Sequence, residues 1–183
     1  MSWWNADACG QGTTVATVSL GFREERRCAR EGTMGEGTED PGPVKVGSID
    51  HVALAVPDLD SAISFFLENF SAEVSEAVTL AEQSVRIAFV RLANADIELM
   101  EPLSRDSPVG RFLDRNPEGG LHHICLATDD ASSAHAASAA RGLRPLNIPT
   151  PGYHGRPLFF LHPKSTLGTL VEIEESEQET EDA

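Results

Sequence analysis

The run IDHVALAVPDLDSAISFF, from Ile49, begins as a short apolar stretch, passes through acidic residues, and then spaces its apolar side chains as a helix does. Asp58 or Asp60 suits the helix N-cap, and Ile63, Phe65, Phe66 and Leu67 supply an apolar side. The run LHHICLATDDASSAHAAS, from Leu121, has the same layout, and Gly142 fits the stop of its Ala-rich helix. The later parts also correspond. VRIAFVRLANADIELMEP reads as strand, turn and strand, with ANAD as the turn. RPLFFLHPKSTLGTLVEIEE reads the same way, with HPKSTLG as the turn.

The chain therefore states one β-α-β-β-β unit twice, over residues 49–103 and 121–175, 55 residues each. SRDSPVGRFLDRNPEGG links the copies and predicts a short helix at PVGRFLDR. The expected fold class is α+β, with two tandem modules forming one curved mixed sheet. The domain spans 48–175, flanked by a disordered extension over 1–47 and a disordered acidic tail over 176–183. Met34 is a second candidate start.

Polar residues recur at matching points of the two copies, which shared strand and helix patterning alone does not require. An offset of 72 pairs His51 with His123, and an offset of 74 pairs Glu98 with Glu172. Each histidine begins a strand, and each glutamate lies inside an apolar one. A carboxylate facing a sheet interior is costly unless it is paired or bound to a cation. Taken singly, each of the four is better read as structural. Taken together, His51, Glu98, His123 and Glu172 offer two imidazoles and two carboxylates, a donor set for a divalent metal with positions left for substrate. Alternation along a strand decides between the neighbours in GGLHHICLAT. His123 aligns with His51 and is the expected ligand. His122 takes the place of Asp50, points the other way and is expected to be dispensable for metal. His135 on its helix and His162 at a turn are expected to be structural, and His154, on a glycine-flanked loop, is a weaker candidate for touching substrate.

Composition narrows the partners. The net charge of -15 divides into -2 over 1–47, -6 over 174–183 and -7 between. That excess argues against nucleic acid, and an anionic ligand would need local bases such as Arg105, Arg111, Arg115, Arg156 and Lys164. No apolar run is long enough for a membrane helix. Cys9, Cys28 and Cys125 make no disulfide framework, and Cys125 reads as a small buried hydrophobe. With no basic start leading into an apolar core, a cytoplasmic location is expected, although FREERRCAR has the basic character of a transit peptide.

The paired modules with their His/Glu set resemble the vicinal oxygen chelate superfamily. Within it, EPLSRDSPVGRFL, GGLHHICLATDD and HGRPLFFLHPK are similar to the methylmalonyl-CoA epimerases, over about Ile49 to Glu175. The resemblance implies a metal-dependent isomerase that interconverts the (R) and (S) forms of methylmalonyl-CoA. Its metal ligands would be His51, Glu98, His123 and Glu172, holding cobalt, zinc or a similar divalent ion. Glu172 would serve as one acid/base group, and the enzyme would be a homodimer. Some bacterial members have Gln in the place of Glu98. Some also carry a glutamate base where Ile87 stands here, which leaves the second acid/base group unassigned. Three other functions fit the same fold: a lactoylglutathione lyase, an iron ring-cleaving dioxygenase and a non-enzymatic small-molecule-binding protein. Four intact donors argue for an enzyme and against the three-ligand iron site.

Overall fold

The alternation read in the two repeats becomes one sheet whose two faces have separate tasks. A computed structural model describes residues 42–176. In the first copy β1 (Ile49–Ala55) leads to α1 (Leu59–Phe70), the short strands β2 (Glu73–Val74) and β3 (Val78–Leu80), then β4 (Val85–Arg91) and β5 (Asp96–Pro102). After the linker helix α2 (Pro108–Leu113) come β6 (Gly120–Thr128), α3 (Ala131–Ala140), β7 (Thr150–Pro151), β8 (Pro157–Leu161) and β9 (Leu170–Glu175). The strands form one mixed, curved sheet in the order β2-β4-β5-β1-β6-β9-β8-β7, with β3 paired to β4.

The repeat is visible in the pairing. β1 lies parallel to β5, β6 lies parallel to β9, and β1 and β6 meet antiparallel in the middle. The β2–β3 pair stands where the second copy has β7 alone. Each glutamate sits opposite the residue two places after its histidine, Ala53 against Glu98 and Cys125 against Glu172. Because side chains alternate, this register puts His51, Glu98, His123 and Glu172 on one face.

The other face is covered by helices. Leu59, Ala62, Ile63 and Phe66 of α1 pack on Leu54, Val90, Ile97 and Leu99. Phe65 and Leu67, expected on the apolar side, are instead half exposed, because the 3.6-residue period turns them outward. In the second copy α3 lays Ala134 against Phe159, Leu161 and Ile173. The N-caps match, Asp58 accepting from the Ser61 amide and Asp130 from the Ser133 amide. Gly142 follows α3 at φ 75°, the left-handed stop expected of it.

The linker motif has a packing reason. Ser107 caps α2, Pro108 occupies its first turn, and Gly110 lets the helix approach its own entry loop. A Cβ on Gly110 would lie 2.4 Å from the Ser104 carbonyl oxygen. Val109, Phe112 and Leu113 then close the lower end of the site face against Ala53, Ile87 and Met100.

The residues just before β1 pack onto the second copy. Val44 joins the core under α3, Lys45 accepts a hydrogen bond from Thr128 Oγ1, and the Gly47 amide donates to Ala127. The rest of the expected extension, together with the tail from 177, lies outside the described residues.

Candidate active site

The middle strands bring the four repeated side chains together, with the two imidazoles between the two carboxylates. Glu172 Oε2 is 2.7 Å from His123 Nε2 and 3.5 Å from His51 Nε2. Glu98 Oε2 lies 3.6 Å from His51 Nε2 and 3.9 Å from His123 Nε2, and the two Nε2 atoms are 3.4 Å apart. Donors around one cation with bonds of about 2.1 Å stand roughly 3.0 to 3.4 Å apart, depending on whether the shell is octahedral or tetrahedral. All but the shortest and longest of these separations are close to that range. Two neutral imidazoles and two carboxylates also carry the charge that one divalent ion neutralises. Ligand atoms of His51, Glu98 and His123 lie within 4.8 Å of one another, and Glu172 stands beside the two imidazoles, so this donor set fits such an ion.

The electrostatics favour positive charge at this point. Burial pulls the proton affinity of His51 down, but Asp50, Cys125 and Glu172 outweigh it and the net shift is upward. Burial pushes Glu98 up, against the pull of His51 and His123. Burial would also raise Glu172, yet its bonds from His123 and His51 hold it at about 2. Burial carries the Cys125 thiol up to about 12, so it stays protonated, as a buried hydrophobe should.

The four groups line a cavity of about 270 Å³. Val85, Phe89 and Met100 form its wall on the first copy, and Leu158, Phe160 and Glu174 on the second. The turn before β8 crosses between the copies, with Tyr153 stacked on Phe89 at 5.8 Å and His154 tilted against it at 5.6 Å. His154 therefore reaches the cavity, the position expected of a substrate-contacting residue. Ile87 is buried among the apolar residues of the first-copy wall.

Other sequence readings need adjustment. His122 lines a separate cavity with Phe112 and Arg115, so its ring leaves the site face as expected. Its Nδ1 nonetheless lies 3.0 Å from His123 Nδ1, which makes it a neighbour of the site. Burial lowers its proton affinity to about 4. Arg156, grouped with the bases for an anionic ligand, turns inward: Nη2 is 2.9 Å from Glu174 Oε2 and 3.3 Å from Asp50 Oδ2. Asp50 Oδ1 in turn meets His51 Nδ1 at 2.9 Å. Sequence reasoning passed over Asp50 and Glu174. Their signals were adjacency to His51 and same-face spacing from Glu172. His135 packs edge-on against Phe159, and His162 accepts from the Lys164 amide, both structural as expected.

Comparison with known proteins agrees with this architecture. The sequence pattern of the Glyoxalase/Bleomycin resistance protein/Dioxygenase superfamily matches residues 50–160. The mitochondrial methylmalonyl-CoA epimerase of Homo sapiens is 45% identical over 132 residues, 72% of this chain and 75% of that protein. The ethylmalonyl-CoA/methylmalonyl-CoA epimerase of Cereibacter sphaeroides is 41% identical over 132 residues, 71% of this chain and 98% of that one. A solved methylmalonyl-CoA epimerase in complex with methylmalonyl-CoA and NH4+ superposes with a TM-score of 0.68 at 33% identity, covering 73% of this chain and 96% of that one. No helix among the described residues is long and apolar enough to cross a membrane.

Proposed function

The chain belongs to the glyoxalase/bleomycin resistance protein/dioxygenase superfamily and within it to the methylmalonyl-CoA epimerases, and from this premise we propose how it interconverts the (R) and (S) forms of methylmalonyl-CoA. The observation that carries the mechanism is the convergence of His51, Glu98, His123 and Glu172 in one cavity. These four residues would hold the divalent cation, cobalt, zinc or a similar ion. Bound there, it supplies positive charge against the negative charge that builds on substrate oxygens when C2 loses its proton.

The rest falls to the chain. The C2 proton is acidified by the thioester and the carboxylate on either side of it. Glu172 presents a carboxylate on the second-copy wall and takes or returns this proton at Oε. Inversion needs a further proton-transfer group on the opposite face of the planar intermediate. Phe89, Met100, Leu158 and Phe160 keep bulk water from the reacting carbon. The CoA phosphates would meet bases outside the cavity, with Arg105, Arg111, Arg115 and Lys164 as candidates and Arg156 excluded by its inward contacts.

The decisive measurement is C2 deuterium exchange and inversion of methylmalonyl-CoA with divalent metal supplied. A purified protein that does neither refutes the reading. Turnover of methylglyoxal with glutathione would indicate the lactoylglutathione lyase alternative, and bound ligand without any turnover the non-enzymatic one. A homodimer is expected and is checked by light scattering. Cell fractionation decides between the cytoplasm and the mitochondrion in the human relative's name.

A further inference from the structure

We infer that Arg156 is a positioning residue for the His/Glu centre, acting through Asp50 to fix which nitrogen of His51 faces the cavity. The inference rests on the cation-binding reading of that centre. It concerns a part of the molecule that reading does not use.

Three contacts form a chain. Arg156 Nη2 reaches Glu174 Oε2 at 2.9 Å and Asp50 Oδ2 at 3.3 Å. The other oxygen of Asp50 meets His51 Nδ1 at 2.9 Å. An ionised carboxylate only accepts hydrogen bonds, so the proton between Asp50 and His51 belongs on Nδ1. A neutral imidazole protonated at Nδ1 has its lone pair on Nε2, the atom that points at Glu98, Glu172 and His123. Asp50 thus selects the tautomer, and the Arg156 contact holds the Asp50 carboxylate aimed at His51.

Arg156 also separates charges that would otherwise conflict. One ligand atom each from Asp50, His51, Cys125 and Glu174 falls within 4.8 Å of the others. Two carboxylates in that space repel unless a cation stands between them, and the guanidinium provides it. Its side chain is 18% exposed, and Glu174 only 4%. Arg156 Nε is buried without a hydrogen-bond partner. Such a group detracts from stability, so simple stabilisation is a poor reason to bury this side chain.

The second copy is built differently. His122 stands in the place of Asp50 and meets His123 Nδ1 with an imidazole at 3.0 Å. Among the described residues, a charged relay meets His51 and an imidazole meets His123. That relay begins in the turn that brings Tyr153 and His154 to the cavity, closed by the Gly152 amide donating to the Arg156 carbonyl at 2.8 Å. The cavity wall and the orientation of His51 are therefore tied through one side chain.

The test uses the full chain stripped of metal with a chelator. Cobalt(II) affinity is measured on it by competition with a chromophoric chelator, and the His51 tautomer by 15N NMR of histidine-labelled protein reloaded with diamagnetic zinc(II). Wild type should show His51 protonated at Nδ1. Arg156→Ala should bind cobalt(II) about 10- to 100-fold more weakly, the usual loss when an outer partner of a metal-binding histidine is removed, and should lose the single tautomer. Arg156→Lys, which restores the charge, should recover most of both. Asp50→Asn keeps the shape and breaks the relay with Arg156 intact, so it should weaken binding similarly and stands in if Arg156→Ala does not fold. Either folded variant with wild-type affinity and tautomer overturns the relay. Failure of Arg156→Lys to recover either readout also overturns it. Wild type that binds no cation overturns the reading of the centre itself, and the relay with it.

Discussion

Replacing His123 with Ala and, separately, His122 with Ala tests the site through two neighbours in one strand. The His123 side chain is 4% exposed and its Nε2 is 2.7 Å from Glu172, itself 6% exposed. Deleting the imidazole leaves a buried carboxylate without its nearest partner. Leaving a buried charged acceptor without its hydrogen-bond donor costs about 3 kcal/mol. For a domain of this size that is roughly 10 °C in melting temperature. His122 is half-buried, with one Nδ1–Nδ1 hydrogen bond to His123 at 3.0 Å and an edge-on contact to Phe112 at 5.2 Å between centroids. Losing both costs about 1.5–2.5 kcal/mol, or roughly 5–10 °C. Calorimetry in the presence of a chelator measures both differences without metal. Cobalt(II) titration then separates the roles: His123→Ala should lose tight binding, and His122→Ala should keep it within about tenfold. If His123→Ala melts within about 3 °C of wild type and still binds cobalt(II) tightly, the assignment of the centre is wrong. If the two variants exchange places, the strand register is wrong by one residue.

Other outcomes follow from the same structure. Phe159, fully buried between α3 and the sheet, should cost about 3–5 kcal/mol on replacement by Ala, read as a lower denaturant midpoint at unchanged slope. Gly110→Ala forces a Cβ to 2.4 Å from the Ser104 carbonyl oxygen, so the helix must move, at about 1–3 kcal/mol by thermal denaturation. Asp58→Ala and Asp130→Ala remove matching N-caps, and hydrogen exchange should show faster amide exchange at Ser61 and Ser133 respectively. Chelator should abolish epimerisation, and cobalt(II) or zinc(II) should restore it. Metal at about 100 times its dissociation constant should add about 2.7 kcal/mol of stability. A melting temperature unmoved by metal would contradict cation binding.

Much of this protein is legible in sequence because local patterns repeat. The strand-helix alternation, the two caps, the Gly142 stop and the linker helix all follow from residue types at short spacing, which is set by backbone geometry. The offset between the copies picks out His51, Glu98, His123 and Glu172 as one set, because two modules of the same fold present matching positions to the same place. Chemistry carried by contacts distant in sequence does not show in such patterns. Asp50 and Arg156 are 106 residues apart, and nothing local says that Arg156 turns inward instead of meeting solvent. Phe65 looks like core by composition, yet the pitch of α1 leaves it half exposed. Alternation assigns His123 to the site and His122 to the other face. Only the packed structure shows their Nδ1 atoms at 3.0 Å, because that distance depends on side-chain rotamers fixed by Phe112 and the strands on either side. The sequence by itself determined the modules and the four matching His and Glu side chains that meet in the cavity. Tertiary structure decided which outer side chains, Asp50, Arg156 and Glu174, meet beside that set, since those contacts depend on how distant parts of the chain pack together.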